Sequence, residues 1–257
     1  MALQYKVNSQ RSMHYRGGNG QLVELDVAQF YRAISRAHAV IDQIAKFEVN
    51  IFEILGMRNL SAFVGELYAA SLIKEMNGGY IKNPHQDGYP DLLLMDKSGI
   101  SLFEKLSKNG QVREKSPFSP FQNGGIEIKA TCGSVTTPER CRRMGLEEKP
   151  DIGDQRIDVL TGYDWKAHHR ETNNLAGIIW DFIDDVPRIV AVFFSSRLTT
   201  DNWGVIIQPK EGGGRTTSVS IMTRVGVGIM YEDWVAVIGS DSRYINFLNK
   251  YNKGSVL

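Results

Sequence analysis

GYPDLLLM at positions 88–95 and GIEIKAT at positions 125–131 are the two stretches that decide the fold. The first places an aspartate directly before an apolar run, and the second alternates apolar with charged residues. Alternation of this kind predicts a β-strand, in which residues two apart project to the same face. Glu127 and Lys129 therefore share one face of the second strand, and Ile126 and Ile128 share the other.

Opposite charges on one face of a predicted core strand are costly to bury unless a ligand or partner compensates them. If Asp91 lies beside Glu127 and Lys129, two carboxylates and one ammonium form a cluster. Two carboxylates can hold a hard divalent cation such as Mg²⁺, and the lysine can orient or deprotonate a water molecule there. The pattern thus predicts a metal-dependent site.

Pro90-Asp91 and Glu127-Ile128-Lys129 together resemble the motif of the PD-(D/E)xK nuclease superfamily, and within it the type II restriction endonucleases. These few residues and a helix upstream carry the resemblance, whereas the rest of the chain matches only in length and general layout. The resemblance implies an α/β fold with a restriction-endonuclease-like αβββαβ core and a central mixed sheet. This chain adds a long N-terminal helix and further strands in the C-terminal half.

The resemblance also implies roles for the site residues. Asp91, Glu127 and the carbonyl group of Ile128 would hold one or two Mg²⁺ ions, which acidify a bound water molecule and neutralise charge on the scissile phosphate. Lys129 would contact that phosphate or the attacking water. Its ammonium beside a cation should favour proton loss, which suits a base role. The product would carry a 5′ phosphate.

Glu66 is the fourth expected member of the site. A helix is predicted from about Leu60 to Met76, and the following Asn-Gly-Gly ends it. Glu66 falls on an apolar stripe of this helix, where an acid is unexpected. It either reaches past the stripe to water or acts as a third acid at the metal. In the second interpretation Glu66 resembles the glutamate that many superfamily members carry on the helix before the first core strand.

The segment between Asp91 and Glu127 has 35 residues, positions 92–126, which is longer than in many superfamily members. Its composition predicts a loop insertion. The residues that favour a loop are Lys105, Lys108, Gly110, Pro117, Pro120 and Gly124.

One domain spanning 1–257 is expected, with an N-terminal arm and long helix at 1–58, a catalytic core at 59–160, and the remaining strands with DNA-recognition elements at 161–257. Gly17-Gly18-Asn19-Gly20 predicts a flexible loop or arm, and Asp26 is a candidate N-cap. Apolar residues then recur at three- and four-residue steps from Val27 to Leu55, nearly as a heptad seam. The seam fits either a helix packed along the domain or a helix–helix contact between two copies.

The remaining elements are predicted from short apolar and β-branched runs. A turn is expected at Asp184-Asp185. The strand candidates are Tyr80 to Asn83, Gly177 to Phe182, Ile189 to Phe194, Trp203 to Gln208, Ser218 to Met222 and Val235 to Ile238, with a closing helix from Tyr244 to Tyr251.

The polar segment at 164–174 is the leading candidate for DNA contact, because Asn, Arg, Lys and His read base edges and hold phosphates. An exposed loop has the same composition. A basic cluster at 140–149 suits phosphate contacts or a solvated face with Glu147 and Glu148. The glycine loop at 212–214 could approach a backbone closely, but it lacks the lysine and helix of a nucleotide-binding P-loop. The predicted DNA contacts are Lys166, His168, His169, Arg170, Asn173, Asn174, Arg140, Arg143 and Arg215.

The composition, with 42% apolar and 23% charged residues in 257, is ordinary for a soluble globular protein. A net charge of +1 neither supports nor excludes DNA binding. Two cysteines without zinc-ligand spacing indicate a reducing compartment or indifference to redox state. No signal peptide and no membrane span are expected, so a cytoplasmic location is predicted.

The leading hypothesis is a type II restriction endonuclease that makes Mg²⁺-dependent phosphodiester cuts in duplex DNA at a short specific sequence. A homodimer would match a palindromic target, and the resemblance implies a companion DNA methyltransferase that protects the host. Two alternatives remain open: a structure-specific repair or junction-resolving nuclease of the same superfamily, and a non-catalytic DNA-binding module.

Overall fold

The computed structural model describes residues 3–146, 148–163, 165–209 and 218–251. Strands and helices alternate along these ranges. The described strands are β1 (Tyr5–Val7), β2 (Met13–Arg16), β3 (Leu22–Leu25), β4 (Tyr80–Lys82), β5 (Leu92–Leu94), β6 (Gly125–Thr131), β7 (Ser134–Val135), β8 (Leu160–Gly162), β9 (Lys166–Ala167), β10 (Leu175–Ile183), β11 (Val186–Ser195), β12 (Ser220–Ile221) and β13 (Trp234–Ile238). The described α-helices are α1 (Val27–Ile44), α2 (Ile51–Glu75), α3 (Lys97–Lys108), α4 (Pro138–Arg143), α5 (Arg224–Glu232) and α6 (Ser242–Tyr251).

Seven of these strands form a central sheet in the order β1-β13-β11-β10-β6-β5-β4. Its neighbouring strands are antiparallel except for β6 and β10, which are parallel. The predicted α/β class with a central mixed sheet is therefore confirmed. The strands come from all three predicted parts of the chain, so the N-terminal, middle and C-terminal segments share one sheet.

Apolar residues cover both faces of the sheet. On one face α1 and α2 pack through residues such as Phe30 and Leu72 against Ile126 and Ile178. On the other face, aromatic residues from the connecting segments and from α5 and α6 surround Phe193. Burial on both faces explains why β10 and β11 are almost continuously apolar.

The predicted long N-terminal helix is two helices. α1 begins after Asp26, which caps it as expected, but it ends at Ile44. Asn50 caps the start of α2, and Gly56 interrupts that helix with a φ of 62°. The apolar seam runs across the break because both helices turn an apolar face to the same core. The stripe of α1 is thus buried inside its own chain, which is the first of the two alternatives for the seam.

The N-terminal segment forms strands, and its glycines at 17, 18 and 20 lie in the loop between β2 and β3, so the structure has the loop and not the arm. β1 pairs with β13 at the sheet edge, and β2 pairs with β3 as a hairpin. The amide of Gly18 donates a hydrogen bond to the Asn123 carbonyl group at 3.0 Å. A Cβ at position 18 would lie 1.7 Å from the Gln122 carbonyl oxygen. This glycine therefore permits close backbone packing.

The segment 92–126 contains a helix, contrary to the expected loop insertion. α3 begins after Asp96, whose carboxylate accepts a hydrogen bond from the Gly99 amide, and two of the lysines expected in a loop lie in its last turn. A Cβ at Gly99 would lie 2.0 Å from the Leu94 carbonyl oxygen. The glycine thus lets the helix start against the end of β5, and only residues 109–124 form turns and loop.

β10 and β11 form the predicted hairpin, with strands longer than expected. Asp184 and Asp185 have φ values of 53° and 61°, as the central residues of a two-residue hairpin turn require. The crossover from β6 to the parallel strand β10 contains the β7–β8 pair and α4, which has 6 residues. A helix is expected in this position of an αβββαβ core, and the described helix is a short one.

Candidate active site

Asp91 and Glu127 face each other across two antiparallel strands. The β5–β6 register sets Leu92 opposite Ile126, so one step further Asp91 lies opposite Glu127. Residues directly opposite in such a pair project to the same side of the sheet. The Asp91 amide donates to the Glu127 carboxylate at 3.1 Å, and the Ile128 amide donates to the Asp91 carboxylate at 2.8 Å. Each acid thus fixes the backbone of the opposite strand.

Lys129 joins the two acids. Its Nζ lies 3.6 Å from Asp91 Oδ2 and forms an ion pair with Glu127. The same ammonium donates to the Ile128 carbonyl oxygen at 3.2 Å. Glu127 and Lys129 therefore share a face of β6, and three side chains that are distant in sequence converge at one point.

Burial distinguishes the three charges. The Glu127 side chain is 6% exposed, against 23% for Lys129 and 36% for Asp91. Burial raises the pKa of Glu127 to about 7, although the Lys129 ammonium opposes that shift. Burial would lower the pKa of Lys129, but the carboxylates of Glu127 and Asp91 outweigh it and raise that pKa. Between these two acids Lys129 is an ammonium, and the proton loss expected of it requires a further positive charge nearby.

A cleft of about 230 Å³ opens beside this cluster. Asp91, Ile128 and Lys129 line its sheet side, and Glu127 contacts both charged members of that set. The α2 side of the cleft carries small residues, which leave space above the strands. They are Ser61, Ala62, Gly65 and Ala69.

Glu66 lines the same cleft, but its carboxylate is not part of the acid cluster. Its side chain is 58% exposed and forms an ion pair with Lys82 of β4. The Glu66 carboxylate thus reaches water at the open edge of the cleft, as in the first of its two alternatives, and a direct role at a metal stays a prediction. Glu66, Lys82 and Lys129 all line this cleft, so the pair of Glu66 and Lys82 borders the same space as the Lys129 ammonium.

The three acids do not form a ready metal site. Within the described residues, no group of three His, Cys, Asp or Glu side chains is arranged to hold a metal ion. A different oxygen set does converge: the carboxylates of Asp91 and Glu127 and the carbonyl group of Ile128 all contact the Lys129 ammonium. These are hard oxygen donors around one positive charge, the donor type that Mg²⁺ prefers. The residues present thus fit a divalent cation, with Glu66 outside the set.

The polar segment at 165–174 reaches this cluster through its C-terminal half. The Glu127 amide donates to the Asn174 carbonyl group at 2.8 Å, and the Asn174 side chain donates to the Gly125 carbonyl group at 3.3 Å. The His169 ring packs edge-on against Tyr89, with centroids 4.4 Å apart. The segment predicted to contact DNA therefore borders the predicted catalytic strands.

Two of the predicted DNA contacts in this segment brace the protein itself. The Arg170 guanidinium donates to the carbonyl groups of Trp203 at 3.2 Å and Thr200 at 2.9 Å. Asn174 holds Gly125, as described above. Arg170 and Asn174 therefore support the segment, and their contact with DNA stays a prediction. Exposed Lys166 and His168 keep their prediction as ligand contacts.

The other predicted contacts lie further along the chain. Arg140 and Arg143 are exposed on α4, and Arg143 pairs with Glu139 one turn earlier. The acid that pairs with Arg143 is thus Glu139 on the same helix. The solvated-face alternative had named Glu147 and Glu148 instead, and Glu147 lies outside the described residues. Arg215 lies in 210–217, outside the described residues.

Tyr89 and Lys82 border the site and were missed by sequence reasoning. Tyr89 directly precedes the Pro90-Asp91 motif, and that position was the available signal. Lys82 had none, because its place in the cleft depends on β4 lying at the sheet edge next to α2.

Comparison of the chain with protein-family models, curated proteins and solved structures found no match. A search of the described helices found none with both the length and the apolar character needed to cross a membrane.

Proposed function

We propose that this chain is a Mg²⁺-dependent deoxyribonuclease of the PD-(D/E)xK type that cuts duplex DNA as a type II restriction endonuclease. The observation that carries the proposal is the cross-strand pair of Asp91 and Glu127, with the Lys129 ammonium between them, at a cleft. The order of elements supports it: α2 precedes β4, β5 and β6, and β10 then lies parallel to β6. This order is similar to that of the αβββαβ core.

Each residue of the cluster has a task in this reaction. Asp91, Glu127 and the Ile128 carbonyl group would hold Mg²⁺, which supplies an acidified water molecule and positive charge beside the scissile phosphate. Lys129 is held by two acids at the cleft, so its N–H groups can donate to a phosphate oxygen or orient the attacking water. Glu127 acts as an anion in this role, although burial raises its pKa in the metal-free protein.

The cleft also has features that suit a sugar-phosphate backbone. Apart from Glu66 at its edge, the α2 wall of the cleft consists of small side chains, so a phosphate group can approach β6 without displacing bulky groups. Lys82 is exposed at the cleft, and Lys166 is exposed on the polar segment at 165–174. Both ammonium groups can neutralise phosphates that flank the cut.

The decisive experiment incubates the full chain with unmethylated phage DNA in Mg²⁺ and, in parallel, in EDTA, followed by sequencing of the fragment ends. Discrete fragments only with Mg²⁺, with one short sequence shared by all ends, are expected. Cutting confined to branched or flapped DNA would replace the proposal by a repair or junction-resolving nuclease. Binding without cutting would replace it by a non-catalytic DNA-binding module, and neither binding nor cutting would refute it.

Two partners belong to the same proposal. A palindromic sequence at the mapped ends would call for a two-fold homodimer, which sedimentation of the protein on its target duplex detects. A companion DNA methyltransferase is expected, because host DNA carries the same short sequence. Methylation of one base type at the mapped sequence should then block cutting.

A further inference from the structure

Tyr89 connects the segment 168–174 to the residues just before β5, which include Asp91. Its hydroxyl group lies 3.1 Å from the Glu171 carbonyl oxygen and 3.3 Å from Asn173 Oδ1. The backbone of Tyr89 is itself fixed, because its amide and carbonyl groups bond at 2.7 and 2.8 Å to two phenylalanines of the 109–124 segment. A rigid residue two positions before Asp91 thus holds a segment that is more than eighty positions away in sequence.

The same segment fixes the orientation of the His169 ring. The ring packs edge-on against Tyr89, and the Glu171 amide donates to its Nδ1 at 3.3 Å. A ring nitrogen that accepts a hydrogen bond carries no proton, so the neutral imidazole has its proton on Nε2. Among the described residues no acceptor bonds to that Nε2–H. Burial lowers the pKa of His169, which favours this neutral form.

His169 also lies within the electrostatic reach of the cluster. Lys129 lowers its pKa and Asp91 raises it, after the larger effects of burial and of Glu171. The free N–H therefore belongs to a ring that borders the site and is held from one side by Tyr89. Its neighbours Arg170 and Asn174 are engaged with the protein, so the segment presents few other donors near the cluster.

We propose that Tyr89 is a positioning residue that holds segment 168–174 so that the Nε2–H of His169 donates to a phosphate group of duplex DNA next to the cleaved bond. The inference rests on the proposed function for the identity of the ligand. It adds that this contact is a neutral hydrogen bond. Lys166, four positions from Arg170, supplies a charged contact to the same backbone.

A neutral donor and a cation leave different signatures in the salt dependence of binding. Each phosphate contact made by a lysine releases counterions and contributes about one to the slope of log K against log salt. A neutral N–H contributes affinity without slope. His169→Ala should therefore weaken binding at every salt concentration in parallel with the wild type, whereas Lys166→Ala should make the slope shallower.

The test measures binding of the full chain to a short fluorescein-labelled duplex in EDTA over a range of salt concentrations. Tyr89→Phe and His169→Ala should each weaken binding by about three- to tenfold, the effect of one hydrogen bond. The double variant should bind no worse than His169→Ala, because the two residues act as one unit. Amide exchange across 168–174 should accelerate in Tyr89→Phe. Tyr163→Phe is the matched control, since that buried hydroxyl group bonds to none of the described residues.

The outcomes separate this inference from the nuclease proposal. Wild-type binding by Tyr89→Phe, or losses that multiply in the double variant, would overturn the role of Tyr89 even if the wild type cuts DNA. The expected binding losses in a chain that never cuts would support the positioning role and leave the nuclease proposal refuted. In a cutting chain, Tyr89→Phe should raise KM for DNA and leave kcat at saturating DNA nearly unchanged.

Discussion

Glu127 and Asp181 are buried carboxylates on the neighbouring parallel strands β6 and β10, and the protein surrounds them differently. Burial raises the pKa of both, to about 7 for Glu127 and to about 6 for Asp181. Glu127 accepts one backbone hydrogen bond, from Asp91, and otherwise contacts the Lys129 ammonium. Asp181 accepts hydrogen bonds from four groups of the protein, which are the amides of Arg156, Ile157 and Phe182 and the hydroxyl group of Tyr244.

The two acids differ in their partners more than in their burial. A carboxylate has about four positions for hydrogen bonds, and the protein fills those of Asp181 with rigid backbone donors. The partners of Glu127 include a side chain that lines a cleft and can turn to a ligand. A buried acid whose positions are filled has a structural role, whereas one that pairs with a lysine at a cleft is a candidate for chemistry.

The largest expected effect is on catalysis at the first acid. Glu127→Gln, Asp91→Asn or Lys129→Met should each slow DNA cutting by at least about a thousandfold, because each removes a charge from the reacting site. Glu127→Gln should unfold at the same temperature as the wild type or higher, since burial disfavours its charge. Initial rates on phage DNA and thermal unfolding measure the two effects.

Asp87→Asn is the control for these variants, as an exposed acid four positions before Asp91 in the turn ahead of β5. It should cut like the wild type. Normal turnover by any one of the three site variants would remove that residue from the assignment.

The second acid should show the opposite pattern. Asp181→Ala should lower the free energy of unfolding by about 3 kcal/mol, because it leaves buried amides and a tyrosine hydroxyl group without an acceptor. Cutting at a temperature well below the transition should stay close to that of the wild type. Urea unfolding at pH 7 gives the first quantity, and a loss below about 1 kcal/mol would contradict the structural role.

The pH dependence of stability sharpens the same contrast. The folded-state pKa of Asp181, about 6, is above its ordinary value, so its contribution is present at low pH and is lost as pH rises through 6. From this residue alone, the free energy of unfolding of the wild type should be lower at pH 8 than at pH 5, by on the order of 1 kcal/mol. Asp181→Asn should lack this pH-dependent contribution to the free energy of unfolding. The measurement compares the urea midpoints of the wild type and the variant at pH 5 and at pH 8. Equal changes in both proteins would show that another group is responsible.

The smallest effect is expected at the exposed acid across the cleft. Glu66→Gln should leave the free energy of unfolding within about 0.5 kcal/mol, because its pair with Lys82 is screened by water. Cutting should slow by about tenfold if the carboxylate orients groups at the cleft from outside the donor set. Lys82→Met, which removes the other partner of the same ion pair, serves as the matched variant. A thousandfold loss in Glu66→Gln would instead make Glu66 a direct ligand.

Asp91, Glu127 and Lys129 could be predicted from the sequence because each carries a local signal. Alternation places Glu127 and Lys129 on one face of a strand, and the apolar run after Asp91 marks the strand that it precedes. Asp181 has no such signal, because an acid between Trp180 and Phe182 only interrupts an apolar strand. Its partners lie between 1 and 63 positions away, and chain closure alone brings them together.

Misplaced elements have equally local causes. Gly18 was taken as a sign of a flexible loop or arm, yet it lies where two backbones approach closely. For Glu66 two alternatives stayed open, because a helical wheel shows which residues share a face without showing what that face meets. The short helix in the β6–β10 crossover is likewise a matter of packing, which periodicity does not report.

By itself, the sequence determined the mixed α/β class, the hairpin turn at Asp184-Asp185, the cap at Asp26 and the pairing of acid and lysine on one strand face. These depend on backbone preferences and on periods of two or 3.6 residues, which act over a few positions. Only the tertiary structure decided that Asp91 lies opposite Glu127 and that Tyr89 holds segment 168–174. It also decided that the Asp181 carboxylate accepts hydrogen bonds from four groups of the protein. Each of those depends on strand register and on contacts between distant segments, which form only when the whole sheet closes.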